Sequence, residues 1–169
     1  INETFTMRLA RRLGLNVPPV YRLYVPEPVY IVERFDRAWE PGANTWQRRH
    51  AIDACQLLGQ PSVFKYRNAT LDTLGQLIQQ CRSRAAARMA LFRWVLFNTL
   101  VGNSDSHLKN ISFLMSAEGV QLAPFYDLLC TAVYHTRMYA GDAAIWPGEP
   151  LAIPVVGASV FADVTREKL

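Results

Sequence analysis

Cysteine is scarce in this chain. Cys55, Cys81 and Cys130 are three of 169 residues, odd in number, far apart and without CxxC or Cys/His spacing. Neither a disulfide framework nor a structural zinc site is expected, and His50, His107 and His135 are spaced too widely to add one. Long apolar runs are missing too: Arg93, Asn98, Asn103 and Asp105 interrupt the best candidate before it reaches the roughly 20 residues a membrane span needs. No secretory signal pattern is visible. A soluble, cytoplasmic protein with no membrane contact is therefore expected. Concentrated charge is lacking as well. The net charge of +4 is spread along the chain, apart from a mild series at Arg82, Arg84, Arg88 and Arg93, so no direct nucleic-acid binding is expected. Internal repeats and low-complexity segments are absent.

What remains is 50% hydrophobic and 19% charged, the composition of one globular domain or a substantial piece of a larger one. The first residue is Ile1 rather than Met, and a helical pattern begins within two residues, so a chain cut from a longer protein is expected. Apolar residues at Phe5, Met7, Leu9, Ala10 and Leu13, stopped by Gly14, predict a helix over 2–13. Residues 20–25 and 29–35, rich in β-branched and aromatic side chains around Pro26-Glu27-Pro28, predict a hairpin. A loop over 39–44 follows, then helices over 49–58, 71–80 and 85–101. Trp94, Phe92 and Phe97 on the last of these are expected in the core. Short strands are predicted over 111–115 and 120–123. Past Cys130, Gly141, Pro147, Gly148, Pro150, Pro154 and Gly157 mark loops.

The densest polar cluster is Gly102-Asn103-Ser104-Asp105-Ser106-His107-Leu108-Lys109-Asn110, between an apolar helix and an apolar strand. Phosphoryl transfer needs an acidic group to orient and deprotonate the attacking hydroxyl, and an Asn five residues on is placed to turn back and hold a metal ion. Asp105 and Asn110 have that spacing. A second carboxylate for the metal is normally found just after a short hairpin, and Asp127 stands there. Singly each piece is weak, since an Asp-to-Asn pair also reads as a capped turn. The order of helix, polar loop, hairpin and Tyr-Asp step carries the argument.

The runs NETFTMRLARRLGLNVP, VERFDR, DACQLLGQPSVFKY, GNSDSHLKNISFL and LAPFYDLL resemble the successive signatures of HipA-type serine/threonine kinases, over roughly residues 2–130. The resemblance implies an α+β, mostly helical kinase C-lobe with a hinge hairpin and a small catalytic-site hairpin. It implies Asp105 as catalytic base, Asn110 and Asp127 as magnesium ligands, and Glu33, Arg34 and Phe35 as the hinge that meets the adenine of ATP. Asp36 would bond the ribose hydroxyls, with an ion pair to Arg34 or Arg37 as the alternative. It implies ATP and magnesium as cofactors, a protein substrate, and a toxin restrained by a DNA-binding antitoxin.

Lys109 is the preferred cation to offset charge on the transferred phosphoryl group. His107 either joins it or packs under the loop. Lys65 and Tyr66 read as a loop beside the site. Glu3 either pairs with a lysine from another lobe or is an ordinary first-turn acid.

Two departures qualify the match. Asn103-Ser104 precedes Asp105 where eukaryotic protein kinases carry His-Arg, and Leu128-Leu129 follows Asp127 in place of Phe-Gly. No glycine-rich phosphate loop or lysine-bearing strand precedes Asn2, so the lobe completing the ATP site, and the family's last helices, are expected outside residues 1–169, which form a single domain. A lipid or small-molecule kinase and a noncatalytic binding module stay as rivals.

Overall fold

A computed structural model describes residues 1–136 and 146–168. The opening amphipathic stretch forms helix α1 (Asn2–Arg12), with Glu3 in its first turn and Arg11 and Arg12 in its last, charges that complement the helix dipole. Met7 and Ala10 are buried, whereas Phe5 and Leu13 of the same stripe are exposed. The expected hairpin follows as β1 (Val20–Tyr24) and β2 (Pro28–Val32), antiparallel, with Leu23 opposite Val29.

Three sequence expectations need correction here. Residues 39–44 are not simply a loop: β3 (Arg37–Glu40) and β4 (Thr45–Arg48) flank a turn at 41–44, and Trp39 opposes Trp46 with rings 5.4 Å apart. Residues 49–58 are not one helix. His50–Asp53 forms β5, recruited to the edge of β6 (Ser112–Ser116) with Ala51 opposite Leu114 and Asp53 opposite Ser112. Only Ala54–Leu57 is helical (α2), because Asp53 caps it: its carboxylate accepts from the Gln56 N–H at 2.9 Å while the Gln56 side chain accepts from the Asp53 N–H. Tertiary pairing thus overrides local helical pattern. Past Cys130, β8 (Pro150–Val155) pairs with β9 (Ala158–Val160). Pro150 and Pro154 obscure that strand in the sequence, yet proline is tolerated where no ladder donor is needed. The loop expected at Gly141 lies outside the described residues.

With 35% helix and 26% strand among the described residues, the fold is mixed rather than mostly helical. Helices α3 (Leu71–Gln80) and α4 (Arg84–Val101) pack together, Leu77, Leu91 and Trp94 being fully or nearly fully buried between them and the rest of the core. Phe97 is buried as expected, but Phe92 is 55% exposed, facing an apolar groove between α3 and α4. A three-stranded sheet, β5-β6-β7 with β7 at Gly119–Leu122, lies against the same core through Phe113. No described helix is long and apolar enough to cross a membrane.

Candidate active site

The loop after α4 is built by its first two residues. Gly102 ends the helix at φ +70°, and a Cβ there would lie 2.8 Å from Ala132 Cβ and 3.1 Å from the Trp146 ring, so the position admits only glycine. Asn103, buried, turns the chain: its Nδ2 donates to Asn98 Oδ1 at 2.7 Å and its Oδ1 accepts from the Asp105 N–H at 3.1 Å. The Ser104 N–H donates to Thr131 Oγ1 at 2.8 Å, which ties the loop to the segment beyond Asp127. Asp105 is left at the apex with its side chain 45% exposed.

Asn110 closes the turn. Its Nδ2 donates to the Asp105 carbonyl at 3.2 Å and to Asp127 Oδ2 at 3.1 Å, so one amide ties both ends of the expected constellation. Asp127 itself has φ +57°, a left-handed conformation that Asp tolerates better than most side chains. Burial pushes its carboxyl pKa up, the Asp105 charge adds to that, and His107, Asn110 and Lys65 pull it back. The Asp105 charge is thus felt at Asp127 with only partial compensation.

The segment containing Lys65 and Tyr66 lies directly against this loop. The Leu108 N–H donates to the Lys65 carbonyl at 3.1 Å. Lys65 Nζ donates to His107 Nε2 at 2.9 Å, and the Tyr66 hydroxyl donates to Asp105 Oδ1. Since an ammonium has no lone pair, His107 Nε2 must be the acceptor and the imidazole is neutral. Burial, then the Lys65 charge, lowers its pKa in agreement. His107 is 7% exposed, packed beneath the loop edge-on to Tyr66 with ring centroids 4.9 Å apart. Lys109 is exposed; burial, then the Asp53 charge, raises the Cys55 thiol pKa, and the Lys109 charge only partly offsets this. The lysine that acts on Asp127 is Lys65. Sequence reasoning favoured Lys109 because it shares the loop. The fold brings in Lys65 from 40 residues upstream, and the only signal for it was its place in the VFKY run.

Of the residues expected to form the hinge, Phe35 comes near Asp127. The Glu33 N–H donates to the Pro19 carbonyl at 3.0 Å, and its carboxylate accepts from the Tyr21 hydroxyl. Phe35 stacks on Tyr126, centroids 5.8 Å apart, one residue from Asp127. Asp36 takes the ion-pair alternative, with Arg34 Nη2 and Arg37 Nη1 each 2.6 Å from its Oδ2. Glu3 is half-buried on this side of α1. Burial raises its pKa, the Tyr30 hydroxyl lowers it and the Asp127 charge raises it again. Asn2, which no sequence pattern singles out, pins α1 to the segment after Asp127: its Nδ2 donates to the Cys130 carbonyl at 2.8 Å and its Oδ1 accepts from the Cys130 N–H at 3.0 Å.

No group of three or more His, Cys, Asp or Glu with metal-binding geometry occurs among the described residues. Magnesium is commonly held by one or two carboxylates completed by substrate phosphates and water. The hard oxygen donors of Asp127 and Asn110 fit it.

A loop-borne aspartate, an amide and a second aspartate beneath a hinge-like hairpin define the kinase-like class. Comparison with known proteins then specifies it. The HipA-like C-terminal domain family matches residues 1–158, and the chain belongs to that family. It is 40% identical over 149 residues to the serine/threonine-protein kinase toxin HipA of Shewanella oneidensis, covering 79% of this chain and 34% of that protein. A putative kinase of Sinorhizobium fredii is 39% identical over 138 residues, 79% of this chain and 33% of that one. The structure of Shewanella oneidensis HipA in complex with HipB and operator DNA superposes with a TM-score of 0.85 at 32% identity, covering 99% of this chain and 40% of that chain. A Helicobacter pylori proinflammatory kinase, CtkA, shares the fold at TM-score 0.58 and 17% identity over 75% of this chain and 46% of that one. The chain thus spans about a third of the length of the curated relatives it matches.

Proposed function

We propose that this chain is the catalytic lobe of an ATP- and magnesium-dependent kinase that phosphorylates serine or threonine on a protein, acting in the cytoplasm as a toxin restrained by a DNA-binding antitoxin. The observation that carries the reading is the Asn110 amide bridging the Asp105 backbone and the Asp127 carboxylate, which gathers base and metal positions into one turn. Asp105 accepts the proton of the acceptor hydroxyl, whose oxygen bonds to the γ-phosphorus as the bond to the β–γ bridging oxygen breaks and ADP leaves. Asn110 and Asp127 would hold magnesium, which supplies charge neutralisation on the phosphates. The backbone of Glu33, Arg34 and Phe35 would receive the adenine. Lys65, rather than Lys109, carries positive charge toward the reacting end.

The kinship with a named toxin kinase and with a toxin–antitoxin–operator complex supports the biological role. The test is phosphate transfer from labelled ATP with magnesium by the full-length protein, with cell lysate as acceptor. Wild-type protein labels a protein band, and Asp105→Ala and Asp127→Ala each lose at least about a hundredfold in rate. Label appearing in lipid or a metabolite instead would replace the acceptor class. Full activity of Asp105→Ala would overturn the base assignment.

A further inference from the structure

The Lys65-Tyr66 step and the catalytic loop are joined by three polar contacts in succession. Backbone meets backbone at Lys65 and Leu108, ammonium meets imidazole at Lys65 and His107, and phenol meets carboxylate at Tyr66 and Asp105. The first two contacts are shielded, since Leu108 is fully buried and His107 nearly so. The third lies at the solvent-facing end, where Asp105 is exposed. The Tyr66 ring is held on two sides, edge-on to His107 and with Lys65 Nζ 4.8 Å from its centroid. Tyr66 is itself 46% exposed, and these ring contacts aim its hydroxyl at Asp105.

A carboxylate at a loop apex rotates about χ1 and χ2, and a general base works only when one oxygen is aimed at the acceptor proton. Asp105 gets backbone help from Asn103 at its N–H and from Asn110 at its carbonyl, but neither bond reaches the carboxylate. Tyr66 does. Because Oδ1 accepts the phenolic hydrogen, the carboxylate plane is set and Oδ2 remains for the incoming hydroxyl.

We propose that Tyr66 is a positioning residue for the phosphoryl-transfer step, fixing the Asp105 carboxylate through its hydroxyl, with Lys65 and His107 holding the Tyr66 ring in place. The proposal rests on the reading of Asp105 as the base. The phenol's own pKa is pushed up to about 12, burial first and Asp105 second, so it remains a donor throughout the working range. The same arrangement explains a neutral, buried His107: its task is to receive Lys65 and present its edge to Tyr66, not to exchange protons with substrate.

The test compares Tyr66→Phe with wild type and Asp105→Ala in the full-length protein, measuring kcat, the KM for ATP, the KM for the protein acceptor and the thermal midpoint. Phenylalanine keeps the ring packed between His107 and Lys65 and removes only the donor. The expected result is a kcat lower by roughly 10- to 100-fold with both KM values and the thermal midpoint unchanged. Unchanged kcat overturns the proposal. A higher kcat also overturns it, because the hydroxyl would then be blocking Asp105. A raised acceptor KM at constant kcat would make Tyr66 a substrate contact, and a fall in thermal midpoint matching the lost activity would make it a purely structural one. Activity surviving in Asp105→Ala would sink the base assignment itself, which separates that failure from the failure of Tyr66.

Discussion

Asp36 and Asp127 are aspartates on neighbouring segments whose pKa values move in opposite directions. The Arg34 guanidinium, more than Arg37, holds the Asp36 carboxyl down to about 2, with burial opposing. Burial and the Asp105 charge push Asp127 up. For Asp36 the sign is that of a depressed acid: its contribution to stability is present above the unfolded pKa of about 4 and is lost as pH falls through about 2. Arg34 is 66% exposed, so solvent screening leaves the pair only a small contribution. Unfolding free energies from urea titrations at pH 6 and pH 2.5 should therefore differ less in Asp36→Asn than in wild type. An equal pH dependence in the two proteins would show that the ion pairs contribute nothing.

Elements here are placed by caps and edges as much as by periodicity. Asp53 is at once the last residue of β5 and the cap of α2, so it decides where a strand becomes a helix. Asp53→Ala removes the acceptor for the Gln56 N–H and should cost about 1 kcal/mol, read as a lower denaturant midpoint. Asp53→Asn, which keeps an acceptor oxygen, should recover most of the loss. The same residue shows how far the elements were legible. The helix over 71–80 has a one-sided apolar pattern and that over 85–101 a long, largely apolar one, and both are readable to within a residue. Residues 49–58 were not, because what makes 50–53 a strand is the free edge of β6, more than 55 positions away in sequence. The β3–β4 hairpin was missed because its strands are four residues each and exposed, leaving no alternating burial to read.

At the scale of the molecule, the core holds the site. Trp94 is fully buried, stacks on Phe125 with centroids 5.8 Å apart, and stands on the helix that delivers Asn98 and Gly102 to the loop. Phe125 in turn lies two residues before Asp127. Truncating Trp94→Ala should cost about 3–5 kcal/mol, measured by thermal or urea unfolding, and should lower kinase activity at temperatures where the wild type is fully folded. Phe92, two positions earlier but exposed, should cost well under half as much when truncated. Equal costs would mean that the groove it faces is closed by another part of the full-length protein.

The sequence by itself determined the linear order that makes the family recognisable: a helix stopped by Gly14, a hairpin, an apolar helix ending at Gly102, and Asp105, Asn110 and Asp127 at readable intervals. These depend on local spacing, on residues whose chemistry acts within a turn, and on a resemblance carried in short runs. Only the tertiary structure decided which side chains meet across those intervals. Lys65 and Tyr66 reach His107 and Asp105, Asn2 reaches Cys130, and Phe35 reaches Tyr126. Asp36 satisfies itself with its neighbours instead of facing outward. A hydrogen bond between residues 39 apart leaves no periodic trace, because it depends on how two loops are brought together by a core that neither of them forms.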